Sequence, residues 1–210
     1  MTTTLLLVRH AQTRSNVSGR YMGWMDEDLS DEGIRQAQRL SARLSGKPIT
    51  AVYSSPLRRA HRTAEMIALP HGLTVQTMAE LGEIRMGQWE GLFAADIQGR
   101  FPELWKTWRT DPSTIQMPGG ESLSQVAGRA TKAFDHILQE NQGRHVAAVT
   151  HDVIARIIVA RSLNVGTSIY RRLEVANASL TTVEFFNSSC RLRCLNDTAH
   201  LRYSLSADAP

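Results

Sequence analysis

Two stretches of this chain place an imidazole where a buried strand runs out. One is Leu5-Leu6-Leu7-Val8-Arg9-His10, the other Val146-Ala147-Ala148-Val149-Thr150-His151. Four apolar residues in a row, too few to span a bilayer, read as a strand buried on both faces. The carboxyl ends of such strands are where open α/β sheets place their ligand crevice. There an arginine grips an anion in bidentate fashion, and a neutral imidazole attacks an electrophile or moves a proton. A lone Arg-His pair is more often a salt-bridged strand end. A second strand-end histidine weakens that bland reading for both. Ser54-Ser55-Pro56-Leu57-Arg58-Arg59-Ala60-His61-Arg62 opens a helix, where free N–H groups and the dipole favour an anion. A carboxylate able to move protons must come from elsewhere. Glu80, Glu83 and Glu90 compete for that part, and position alone does not choose among them.

The elements that must hold these residues alternate strand and helix. After the first strand comes a polar loop, Asn16 to Leu29. Ser30-Asp31-Glu32 then caps a helix running to Ser45, with Ile34, Ala37, Leu40 and Leu44 on its apolar face. Thr50 to Ser54 is a second strand. Ser55 as cap and Pro56 at the first helical position predict a helix to about Ala68. Leu73 to Thr77 is a weaker strand, and Leu81 to Leu92 is irregular. Short helices cover Ala94–Arg100 and Pro102–Arg109. Ser122 and Gln125 have capping-box spacing at the head of a long helix ending at Glu140. Val146–Val149 is a strand, Val153–Leu163 a helix, and Leu180–Phe186 and Arg191–Leu195 are late strands, one at the sheet edge. This order predicts a mainly parallel sheet covered on both faces.

The first motif, Arg9-His10-Ala11-Gln12-Thr13-Arg14-Ser15-Asn16, resembles the signature of the histidine phosphatase superfamily, the phosphoglycerate mutase-like proteins, with Ala11 where glycine is usual. Four further blocks match in the family's order: Ser54 to Ala64, Glu80 to Gly91, Val149 to Asp152, and Asn196 to Leu201. The resemblance implies a three-layer α/β/α sandwich with a mixed, mainly parallel sheet. It implies one domain over residues 1–210, with a small helical cap at about 92–120. It makes His10 the nucleophile that carries a phosphohistidine, and Glu83 the acid. Arg9, Asn16, Arg59 and His151 hold the phosphate oxygens, with His151 expected to add positive charge. Thr13, Gly23, Trp105 and Trp108 are weaker candidates for the substrate pocket. Asp152 stands where glycine is common; a carboxylate beside an anion is unfavourable, so its side chain is expected to turn away. His200 is expected to be structural.

The implied activity is a metal-independent phosphomonoesterase acting on a small anionic phosphate ester, with no cofactor. The Gly-x-Trp-Glu-Gly ending of the Glu83 block resembles the phosphatase branch. A cofactor-dependent phosphoglycerate mutase is the alternative. It needs a longer insertion after the acid, and only sixty-seven residues lie between Glu83 and His151. A non-catalytic binding protein of the same fold is the third reading; the presence of all the implied active-site residues speaks against it.

Composition agrees with a globular enzyme. The 210 residues suffice for one domain with a full core, and 42% hydrophobic with 21% charged residues is ordinary. Net charge is +4, with a pI near 9.4. The cations are scattered arginines rather than a basic run, which favours steering a small anion over binding nucleic acid or a membrane. No positive n-region precedes the first apolar run, so a cytoplasmic location is expected. Cys190 and Cys194, four apart in a strand, lie too far apart for a disulfide and read as free thiols. A monomer or homodimer is expected.

Overall fold

The computed structural model describes residues 1–186 and 189–202. Six strands form one sheet in the order β3-β2-β4-β1-β5-β6. They are β1 (Thr2–Arg9), β2 (Ile49–Ser54), β3 (Val75–Thr77), β4 (His145–Thr150), β5 (Leu180–Phe186) and β6 (Ser189–Asp197). β3, β2, β4 and β1 run parallel, and β5 is antiparallel to both of its neighbours. The sheet is therefore mixed and mainly parallel, with β6 at its edge.

The helices are α1 (Arg14–Ser18), α2 (Asp31–Leu44), α3 (Arg58–Ala68), α4 (Ala94–Arg100), α5 (Pro102–Thr110), α6 (Leu123–Glu140), α7 (Asp152–Ser162) and α8 (Ala199–Arg202). Alternation along β1 sends Leu6 and Val8 to one face, with Leu40, Leu44, Ala60 and Ile67 of α2 and α3. Leu5 and Leu7 go to the other, with Val126, Phe134, Ile154 and Ile158 of α6 and α7. Both faces are dry, so the strands carry unbroken apolar runs. The result is the three-layer α/β/α sandwich.

The third strand starts at Val75 rather than Leu73, the last runs over Ser189–Asp197 rather than Arg191–Leu195, and two differences lie near the site. The predicted loop after Asn16 begins instead with α1. Thr13 caps it by accepting from the Asn16 N–H, while the Asn16 side chain accepts from the Thr13 N–H, and Gly19 ends it in the left-handed region at φ +75°. Five residues are too few to show helical periodicity. Helix α3 starts at Arg58, not at Pro56. The Ser55 hydroxyl accepts from the Leu57 N–H two residues on, making a turn rather than a cap. The irregular stretch after β3 contains two single 3₁₀ turns, Ala79–Leu81 and Gly87–Trp89, and another 3₁₀ segment, Thr167–Arg172, follows α7.

Candidate active site

Strands β1 and β4 are adjacent and parallel, with Arg9 opposite Thr150. The next residue on each is therefore a histidine at the same height. The His10 N–H donates to the Thr150 carbonyl at 2.9 Å, and the two imidazole centroids are 5.1 Å apart. Both are buried, His10 at 3% exposure and His151 at 0%. His10 lines a cavity of about 250 Å³, together with Arg9, Thr13, Asn16, Gly23, Arg59 and Glu83. His151 lies behind it, against His10, rather than in the cavity wall.

Each ring has a defined hydrogen-bonding face. His10 Nδ1 is 2.8 Å from the Ala11 carbonyl. A carbonyl only accepts, so Nδ1 carries the proton, and the neutral ring keeps its lone pair on Nε2. Burial, then the positive charges of Arg59 and Arg9, hold the His10 pKa well below that of a free histidine. Burial, Arg59 and His10 do the same for His151. The expectation of a charged His151 is thereby corrected: two adjacent buried rings beside two arginines stay neutral. His151 Nε2 meets the Ser55 hydroxyl at 2.8 Å, while its Nδ1 is buried without a partner. Ala11 is fully buried and is not among the residues with positive φ, so replacing glycine there costs no strain.

The arginines are fixed from several directions. Arg59, at the second position of α3 and 3% exposed, donates to the carbonyls of Met25 at 3.0 Å and Gly23 at 2.8 Å. Gly23 has φ +49°, and a Cβ there would stand 2.3 Å from Glu90 Oε1. Glu90 in turn accepts from the N–H groups of Trp24 and Met86, so this carboxylate is spent on the loop. Arg9 Nη1 donates to the Val175 carbonyl at 2.6 Å and to Asp152 Oδ1 at 3.3 Å. Asp152, predicted to turn away, lines the cavity instead. Arg9 on one side and Arg156 at 3.0 Å on the other neutralise it, and that pairing is why a carboxylate is tolerated there. Asn16 Oδ1 takes hydrogen bonds from the Thr13 N–H, the Thr13 hydroxyl and Asn177 Nδ2. Its Nδ2 is the group left to donate to a ligand.

Of the three competing carboxylates, Glu80 is exposed and Glu83 lines the cavity. Burial, then the charge of Asp152, raises the Glu83 pKa against the opposing Ile84 N–H, Arg59 and Arg9. Its backbone is clamped by Arg129, which nothing in the sequence singled out. The guanidinium donates to the carbonyls of Glu80, Gly82 and Glu83 at 2.7 to 2.8 Å and pairs with Glu121 at 2.8 Å. The Trp24 indole N–H also reaches the Glu83 carbonyl.

Trp108 is buried and lines the cavity. Trp105 does not: it packs edge-on to Tyr21 and tilted against Trp89, as a core residue would. Arg20, Tyr21, Tyr170 and Arg171 also line the cavity; no motif marks them. Among the described residues, no three His, Cys, Asp or Glu side chains group as metal ligands would. Cys190 and Cys194 are both free thiols, and His200 Nε2 lies 3.0 Å from the Ala178 carbonyl, a structural contact.

Known proteins resemble this chain in sequence and fold. Phosphoserine phosphatase 1 of Hydrogenobacter thermophilus is 33% identical over 197 residues, covering 94% of this chain and 93% of that protein. YhfR of Bacillus stearothermophilus superposes with a TM-score of 0.91 at 28% identity, over 95% of this chain and 99% of that one. The phosphoserine phosphatase mutant from Entamoeba histolytica in complex with phosphoserine superposes with a TM-score of 0.85 at 26% identity, over 95% and 99%. The model of the histidine phosphatase superfamily, branch 1, matches residues 5–198, nearly the full length, and the chain belongs to that family.

Proposed function

We propose that this protein is a metal-independent phosphomonoesterase working through a phosphohistidine on His10. The observation that carries the reading is the juxtaposition of a buried neutral imidazole, two arginines and a carboxyl with a raised pKa around one small cavity. The phosphatase names among its relatives agree with it.

In the first step the His10 Nε2 lone pair attacks phosphorus in line as the bond to the ester oxygen breaks. Little further covalent work is needed, and catalysis rests on placement and charge. Arg9, Arg59 and Asn16 hold the nonbridging oxygens, and the neutral His151 packs against the His10 ring from behind. Glu83, whose burial favours the protonated form, gives its proton to the leaving alkoxide. In the second step the Glu83 carboxylate takes a proton from water. The resulting oxygen bonds phosphorus, the P–N bond breaks, and inorganic phosphate leaves with His10 regenerated. The segment at about 92–120 roofs the cavity through Trp108.

The test is phosphate release from a panel of metabolites with EDTA present, combined with an acid quench during turnover. Activity persists in EDTA, and mass spectrometry finds an acid-labile, base-stable phosphate on His10. Activity without an adduct would instead make His10 a general base, and loss in EDTA restored by Mg²⁺ or Zn²⁺ would end the metal-free reading.

A further inference from the structure

Just ahead of β5, the segment 175–178 reaches three members of the site at once. The Val175 carbonyl accepts from Arg9 Nη1 at 2.6 Å. The Ala178 N–H lies 3.1 Å from the carbonyls of both Arg9 and His10. Asn177 Nδ2 donates one hydrogen to the His10 carbonyl and the other to Asn16 Oδ1, each at 3.1 Å. Ala178 is fully buried and holds a φ of +54°, in the left-handed region that a residue with a Cβ rarely adopts. Such a conformation persists where its surroundings over-determine it, and it collects at functional sites. Here part of those surroundings is the last sequence block, 196–201. Asn196 Oδ1 accepts from the Ala176 N–H at 2.7 Å, and His200 Nε2 lies 3.0 Å from the Ala178 carbonyl. The segment is held from behind by that block and meets the site through Asn177.

The two ends of the Asn177 bridge differ in what else holds them. The His10 carbonyl keeps the Ala178 N–H, and the sheet fixes β1. His10 therefore stays in place without Asn177. Asn16 stands on a helix of five residues. Its Oδ1 takes two hydrogen bonds from Thr13, a member of the same cap. Among the described residues only the third, from Asn177, comes from another part of the chain. Thr13 sets how the amide is turned on α1, and Asn177 sets where that amide stands relative to the nucleophile. One nitrogen serves both acceptors because a primary amide carries two N–H donors; an ionised aspartate, of the same shape, has none.

We infer that Asn177 is a positioning residue for the reaction: it anchors Asn16 to the His10 strand end, so that the Asn16 amide holds a phosphate oxygen while Nε2 faces phosphorus. This rests on the phosphatase reading above and adds to it a residue that no motif marks.

The experiment is a double-mutant cycle of Asn16→Ala and Asn177→Ala. It is read as kcat/KM for one alkyl phosphate and, without turnover, as calorimetric affinity for inorganic phosphate. Asn16→Ala lowers kcat/KM by about 30-fold, the loss of one hydrogen bond to a charged group. Asn177→Ala alone lowers it by about tenfold. Added to Asn16→Ala it costs about twofold or less, because the amide it positions is already gone. Asn177→Asp matches or exceeds the alanine loss. Asn177→Gln, whose amide is one carbon out of place, gives the same loss and serves where alanine fails to fold. An equal loss in both backgrounds is that of a merely structural residue and overturns the proposal; so does an unchanged kcat/KM in Asn177→Ala. Hydrolysis with such additive losses keeps the phosphatase and removes the anchor. If the wild type hydrolyses no ester, the phosphatase reading fails, and the phosphate-binding cycle decides the positioning role. Affinity that falls in Asn177→Ala only where Asn16 is present supports the role. Equal falls, no fall, or no binding overturns it.

Discussion

The histidine side and the acid side of the cavity are held by different means. His10 and His151 end two parallel strands whose register runs unbroken from Thr4 opposite His145 to Arg9 opposite Thr150. Sheet hydrogen bonds and dry packing on both faces hold them, and no single side chain is responsible. Glu83 stands on a stretch with neither strand nor α-helix. Its backbone is fixed by two side chains, the Arg129 guanidinium, 46 residues along the chain, and the Trp24 indole. Repeating backbone structure spreads positional control over many residues, whereas an irregular segment concentrates it in a few side chains. Function on the histidine side should therefore fail only when the reacting atoms are removed. On the acid side it should also fail from a distance.

The largest effect expected is that of His10→Ala. Hydrolysis of every ester falls by about 10³-fold or more, because the attacking atom is gone. The far-UV spectrum and the cooperative melt stay native-like, since the strand end is held by its neighbours. Retained activity would break the assignment, and an unfolded variant would break the claim that the sheet alone positions this side.

Next comes Glu83→Gln. Alkyl esters, whose leaving group needs a proton, lose about 10²- to 10³-fold in kcat. p-Nitrophenyl phosphate, with a good leaving group, loses tenfold or less. A matching loss on both substrates would give Glu83 a structural part only.

Arg129→Met sharpens the comparison at a distance. The apolar replacement keeps the stem and removes the fork. Alkyl esters lose about tenfold in kcat, p-nitrophenyl phosphate is hardly changed, and Tm falls by several degrees as Glu121 and the carbonyls of Glu80, Gly82 and Glu83 lose their donors. Arg129→Lys restores little, because an ammonium cannot serve three carbonyls in a fixed plane. An equal loss on both substrates would show that Arg129 supports the whole cavity, and the contrast between its two sides would fall.

The same division decided what could be read from sequence. The strand-end histidines are legible because the apolar run and its stop are contiguous, and Arg59 because its block resembles the family's pattern. Arg129 sits on an amphipathic helix at a spacing that any solvated arginine occupies; only the fold brings it to Glu83. Tyr170 and Arg171 lie in a 3₁₀ segment without periodicity. Asp152 was misjudged because its charge was weighed against an anion alone, while the arginines that neutralise it, Arg9 and Arg156, come from β1 and from one turn further along α7. A Thr-x-x-Asn capping pattern was available to announce α1.

The smallest effect is on stability, and it has opposite signs on the two sides. His10 and His151 have folded pKa values below the unfolded value of about 6.5. Their neutral burial is tolerated fully above that pH. As pH falls through it, the unfolded chain binds protons that the native state refuses, and stability drops by on the order of 1 kcal/mol per histidine at one unit below. Glu83 has a folded pKa above its unfolded one. Its buried carboxylate weakens the fold at neutral pH, and that penalty is relieved as pH falls towards the raised value. Between pH 7.5 and 5.5 the wild-type Tm should therefore drop by a few degrees, the histidine pair outweighing the single carboxyl. Glu83→Gln removes the compensation and makes the drop steeper. His10→Ala removes part of the cause and makes it shallower. The measurement is a set of thermal melts of the three proteins at both pH values, read as differences within each protein so that the cavity left by alanine cancels. A steeper drop in His10→Ala, or a shallower one in Glu83→Gln, would mean that the two sides do not titrate as their surroundings dictate.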